Sequence, residues 1–131
     1  MEMENKEIFN YTKLIVYRRA KELVGMVYKI IKTFPKEEQY ALCDQLRRAS
    51  FSVTSNIAEG TSRGTYPDKI HFLEMAYSSL MEVHSQMDVA NYLGYINSET
   101  LEEIEQLIIS VVKPLSGLRS SFQEKLHASK P

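Results

Sequence analysis

Apolar residues recur at steps of three and four along four long stretches of the chain, which is the spacing of one face of an α-helix. The first stretch runs through Val16, Ala20, Leu23, Val27, Ile30 and Phe34. The second runs through Leu42, Leu46, Ala49 and Val53, then Asn56 or Ile57, to Gly60. The third takes in Ile70, Leu73, Tyr77, Leu80, His84, Met87 and Asn91. The fourth takes in Leu101, Ile104, Ile108, Val111, Leu115, Leu118 and Phe122. No strand-like alternation stands up beside a helical alternative. Such sustained stripes suit helices packed at small crossing angles.

Punctuation agrees with the periodicity. Pro35 suits the start of the second helix, where a missing N–H costs nothing. Gly60 and Gly64 fall where that helix is expected to stop. Thr65 can cap the third helix, with Pro67 and Asp68 in its first turn, and Gly94 can end it. Asn97 or Ser98 caps the fourth, whose early Glu99, Glu102 and Glu103 favour the positive end of the helix dipole. Pro114 removes the hydrogen bond to the Ser110 carbonyl and is expected to kink the fourth helix. The connections are short, which makes successive helices antiparallel. The expected fold is all-α, an up-down-up-down four-helix bundle. It occupies residues 1–131 as one domain, with disordered or irregular ends about 1–10 and 127–131.

The stretch QLRRASFSVTSNIAEGTSRG, Gln45 to Gly64, departs from a simple core helix. At about 100° per residue, Leu42, Leu46, Ala49, Val53 and Asn56 share the core side. Gln45, Arg48, Ser52, Ser55 and Glu59 form a small polar flank, and Phe51 points nearly opposite the core. The third helix goes further. Its core stripe is complete without Met75, Val89 and Leu93, which lie on the other side, while Phe72, Val83 and Ala90 fill one flank. A helix apolar nearly all round is buried. In a chain this small, only a partner surface can cover the outer side. Glu82 stands within that outward apolar patch, and Arg47 or Arg48, in the same chain or a neighbouring copy, is its candidate partner. The candidate interface is therefore Arg47, Arg48 and Phe51 with Met75, Glu82, Val89 and Leu93, and the expected assembly is homo-oligomeric.

The segments Gln45-Leu46-Arg47-Arg48-Ala49, Ser55-Asn56-Ile57-Ala58-Glu59-Gly60 and Ser79-Leu80 with Glu82 resemble the four-helix bundle family of rRNA intervening-sequence proteins. These are small bacterial proteins named for members encoded in insertions within large-subunit rRNA genes. Phe34-Pro35 and Leu93-Gly94-Tyr95-Ile96 fit the same pattern, and the resemblance spans roughly Phe9 to Phe122. It implies a homopentamer of four-helix subunits and does not imply an enzyme. A related pentameric bundle, the accessory protein of diversity-generating retroelements, works with nucleic acid and a reverse transcriptase. Family members often carry Pro where this chain has Thr54, and Trp where it has Tyr17.

Composition narrows the chemistry. With 44% apolar and 25% charged residues the chain is globular. Its acidic, polar opening MEMENKEIFN does not read as a signal peptide, and no apolar run is long enough to cross a bilayer. Membrane partners are not expected, and the expected location is cytoplasmic. Cys43 is the single cysteine, so no internal disulfide or Cys cluster for zinc can form. A di-metal bundle needs Glu-x-x-His pairs on two helices plus two further inward-facing Glu residues, a constellation that is absent, and His84 reads as a histidine bonded to a neighbour on the helix seam. Ser52 and Ser55 have no His-Asp support, and GTSRG lacks the Lys-Ser/Thr of a phosphate loop. No catalytic residue, metal or cofactor is expected.

The net charge of -1 conceals an uneven distribution. Residues 1–64 hold 11 Lys/Arg against 8 Asp/Glu, whereas residues 65–131 hold 5 against 9. Arg18, Arg19 and Lys21, with Arg63, are the candidate phosphate contacts, and a ring would repeat them on every subunit. The resulting expectation is a non-enzymatic oligomeric scaffold that binds RNA or DNA through a basic surface. The alternative is a protein-binding or structural module without a nucleic-acid ligand.

Overall fold

The computed structural model describes residues 2–129. Five helices account for most of them: α1 (Glu2–Glu7), α2 (Ile15–Ile31), α3 (Leu42–Ser62), α4 (Tyr66–Tyr92) and α5 (Ser98–Ala128). Short 3-10 turns at Asn10–Lys13 and Lys36–Glu38 precede α2 and α3. No strand occurs among the described residues, so the protein is all-α. The expected irregular ends hold a short helix at Glu2–Glu7 and the last turn of α5, while residues 1, 130 and 131 lie outside the described residues.

The four long helices pack in a closed circuit, α2 on α3, α3 on α4, α4 on α5 and α5 back on α2. The core between them is aliphatic: Leu23, Leu46, Ile57, Leu73, Leu80 and Ile104 are all fully buried. Burying such side chains contributes about 1.5–3 kcal/mol each relative to exposure.

Local chemistry ends the helices as expected at three places. The Thr65 hydroxyl accepts the Asp68 N–H at 3.4 Å, and Asn97 Oδ1 accepts the Thr100 N–H at 2.8 Å. Gly94 has φ +82, the left-handed conformation that glycine adopts without steric cost, and Tyr95 N–H returns to the Ala90 carbonyl at 2.9 Å.

Elsewhere the structure corrects the expectation. Helix α3 starts at Leu42 and not at Pro35. Pro35 is extended and leads into a turn whose Gln39 side chain donates toward the Ile31 and Phe34 carbonyls at the end of α2. Helix ends leave carbonyls that need donors, and this segment supplies them. Gly60 does not stop α3. It is buried inside it, where an added Cβ would lie 3.1 Å from Phe72 Cβ and 3.2 Å from the Lys69 carbonyl oxygen. Its role is close approach of α3 to α4. In α4, Tyr77 is exposed and His84 and Asn91 are half-buried, whereas Ala76, Val83 and Ala90 take the core positions. The small side chains turn inward because α3 comes so near.

Pro114 lies within α5, which continues to Ala128. The Ser110 carbonyl released by this proline accepts a hydrogen bond from the Arg19 guanidinium at 2.9 Å. The α2–α5 seam thus closes over the gap in the α5 backbone ladder.

Candidate functional site

The polar stretch of α3 resolves into two kinds of residue. Ser50 and Thr54 are buried and turn their hydroxyls to the Arg47 and Phe51 carbonyls of their own helix. Asn56 donates to the Ser52 carbonyl at 2.8 Å, and the Ser79 and Ser52 hydroxyls bond each other across α3 and α4 at 2.9 Å. These bonds satisfy polar groups at a close helix contact, where unpaired ones would cost about 1–3 kcal/mol each.

Outside that contact lies a shallow groove of about 330 Å³, floored by Ala49, Ser52 and Ser79 and rimmed by Arg48, Glu82 and Gln86. Neither Arg48 nor Glu82 forms an ion pair among the described residues. Gln86 Oε1 is buried and has no hydrogen-bond partner there. On the same helix Met75 and Val89 are 41% and 46% exposed, and Leu93 at its C-cap is 49% exposed. The outward apolar side expected of α4 is therefore present in the single chain.

The other residues of the expected interface sit elsewhere. Arg47 pairs with Asp44 at 2.7 Å and contacts Gln39, so within the chain it does not meet Glu82. Its guanidinium also approaches the Tyr28 ring of α2 at 6.0 Å, and Phe51 meets that ring edge-on at 5.9 Å. Arg47 and Phe51 thus belong to the α2 side of α3, and Arg48 and Glu82 to the α4 side.

The expected phosphate contacts are dispersed. Arg19 is turned onto the Ser110 carbonyl. Arg63 pairs with Glu59 at 3.0 Å and lies 4.6 Å over the Phe72 ring. Lys21 is exposed, its ammonium 6.0 Å from the Tyr17 ring centroid, and Arg18 is exposed. Lys29 and Lys32, outside that expectation, are exposed as well. They continue the face of Arg18 and Lys21 at steps of three and four through Gly25, a spacing that was readable in the sequence.

Cys43 is fully buried with its Sγ 3.7 Å from the Ile31 carbonyl, and burial pushes its thiol up from the ordinary range. A thiol held protonated is a poor nucleophile. His84 bonds Glu105 across α4 and α5 at 2.8 Å. Among the described residues no group of three or more His, Cys, Asp or Glu could hold a metal, and no helix is long and apolar enough to cross a membrane.

Comparison with known proteins bears on this geometry. The family model described as 23S rRNA-intervening sequence protein matches residues 12–117. Among solved structures, the chain is similar to a protein of unknown function from the S23 ribosomal protein family of Bacteroides thetaiotaomicron. The TM-score is 0.74 at 20% identity, covering 81% of this chain and 96% of that one. At that identity the likeness speaks for the fold alone. No curated protein matches the chain.

Proposed function

The chain belongs to the 23S rRNA-intervening sequence protein family, and from that premise we propose that it is a non-enzymatic, homo-oligomeric helical scaffold with nucleic acid as its ligand. The four long helices form an antiparallel up-down-up-down bundle, and five copies close into a ring. The observation that carries this reading is the outward side of α4. Met75, Val89 and Leu93 are about half exposed there, beside a groove that contains a charged residue of each sign and the partnerless Gln86 Oε1. A second copy covering this side would bury the apolar residues. It would also bring a donor to Gln86 and counter-charges to Arg48 and Glu82.

Two unlike surfaces flank α3, the Arg47–Tyr28–Phe51 cluster and the Arg48–Glu82 groove. A head-to-tail contact between unlike surfaces closes into a ring when the rotation allows. Nucleic acid is the favoured ligand because α2 turns Arg18, Lys21 and Lys29 outward, with exposed Lys32 at its C-cap. The oligomer, isolated from its own cells, should carry RNA or DNA that is released by high salt. Isolation with protein partners only would support the alternative, a protein-binding module, and end the nucleic-acid reading.

A further inference from the structure

We infer that the outward face of α2 docks across the wide groove of a nucleic-acid double helix, gripping the phosphate ridge on each side. This rests on the nucleic-acid reading above and adds the surface, the ligand form and the geometry. Arg18 and Lys21 make one cationic pair, and Lys29 and Lys32 make another. All four are exposed, and none forms an ion pair among the described residues. Two exposed acids border this face, Glu22 of α2 at its margin and Glu103 of α5, which shares a groove with Gly25 and Lys29.

Between the pairs stands Gly25, where an added Cβ would meet nothing within 4 Å. A glycine in mid-helix costs about 1 kcal/mol relative to alanine, and nothing inside the chain requires one at this position. The bare backbone leaves a low saddle between two raised cationic ends. With a rise of about 1.5 Å per residue, the midpoints of the two pairs are about 16 Å apart along the helix.

That span suits a wide groove. The major groove of B-form DNA is about 12 Å across between its phosphate walls, and A-form RNA presents a wide, shallow minor groove. Lysine and arginine side chains at both ends can reach the ridges while the saddle admits the groove between them. A minor groove of about 6 Å in B-form DNA is too narrow for the two pairs.

A single strand fits less well. Proteins that hold single strands add aromatic platforms on which bases stack. The rings flanking this face are already engaged edge-on, Tyr17 with Tyr11 at 5.0 Å and Tyr28 with Phe51 at 5.9 Å. Asn97, the one amide lining the groove beside Gly25 and Lys29, is engaged in capping α5 through Thr100 N–H, so recognition rests on the backbone and is independent of sequence.

The test is fluorescence anisotropy of the intact oligomer with labelled duplex DNA, duplex RNA and single strands of matched length. Both duplexes should bind more tightly than either single strand. For four phosphate contacts per face, duplex affinity should fall roughly 100-fold between about 50 and about 200 mM salt. The double variant Lys29→Gln/Lys32→Gln should reduce that fall to roughly 10-fold. Gly25→Leu adds bulk in open space and should weaken duplex binding, its fall over the same salt range dropping to roughly 10-fold when two of the four contacts are lost, with helicity by circular dichroism unchanged. If the wild type binds no nucleic acid at low salt, the underlying reading falls and this inference with it. If it binds single strands as tightly as duplexes, or if the correctly folded variants bind like the wild type, only this inference is overturned.

Discussion

Helices α4 and α2 each leave one side open in the single chain, and they furnish it in opposite ways. On α4 the open side carries Met75, Val89 and Leu93, with Glu82 among them. On α2 it carries Arg18, Lys21, Lys29 and Lys32 around Gly25. Water solvates the second face well and the first poorly, since exposed apolar surface costs about 25 cal/mol per Å². On the proposed function the two faces take separate tasks, the α4 face meeting another protein surface that excludes water and the α2 face a polyanion that exchanges with counterions.

The largest effect should come from Val89→Asp. A charge placed in a covered apolar contact costs about 3–5 kcal/mol when unpaired, and each subunit of a ring would bear it. The variant should keep the helicity of the wild type but elute as a monomer from size exclusion. A wild-type elution volume would remove α4 from the assembly.

Gly60→Val should act next most strongly, because α4 leans on α3 at this point. The added side chain meets Phe72 and the Lys69 carbonyl, and overpacking of this kind costs about 1–3 kcal/mol. Urea unfolding should show a lower midpoint, and an unchanged midpoint would mean that α3 and α4 do not approach so closely.

Arg19→Gln should be milder. It leaves the half-buried Ser110 carbonyl short of a donor, which costs about 1–2 kcal/mol. Nucleic-acid affinity and its salt dependence should be unchanged, since Arg19 is committed to the Ser110 carbonyl and touches no phosphate. A large loss of affinity at unchanged stability would return Arg19 to the phosphate-binding face. Gly25→Ala should have the smallest effect on folding and the opposite sign. The fold should gain about 1 kcal/mol, read as a higher thermal midpoint.

The sequence disclosed the parts of this molecule that are governed by neighbours along the chain. The four long helices followed from apolar spacing, and the ends at Thr65, Gly94 and Asn97 followed from local cap chemistry. What it hid depends on distant partners. The Arg19 acceptor lies 91 residues away in sequence, and no local pattern announces it. The start of α3 was misplaced because Gln39 is recruited to the end of α2. The core stripe of α4 was ambiguous because that helix is apolar nearly all round. Only the close contact with α3 selects Ala76, Val83 and Ala90 over Tyr77, His84 and Asn91. The outward placement of Met75, Val89 and Leu93 was legible for the same reason: once a core stripe existed, they had nowhere inside to go. The basic face was half legible, since Lys29 and Lys32 obey the same spacing as Arg18 and Lys21 but lie beyond the cluster that drew notice.

The contrast between the two faces turns on whether α4 is covered in solution. Light scattering on the purified protein at about 10 μM, a concentration at which an interface with Kd near 1 μM or tighter is largely formed, measures that directly. The account predicts a single species near five times the chain mass of 15.1 kDa. A clean monomer of 15.1 kDa under those conditions would contradict it.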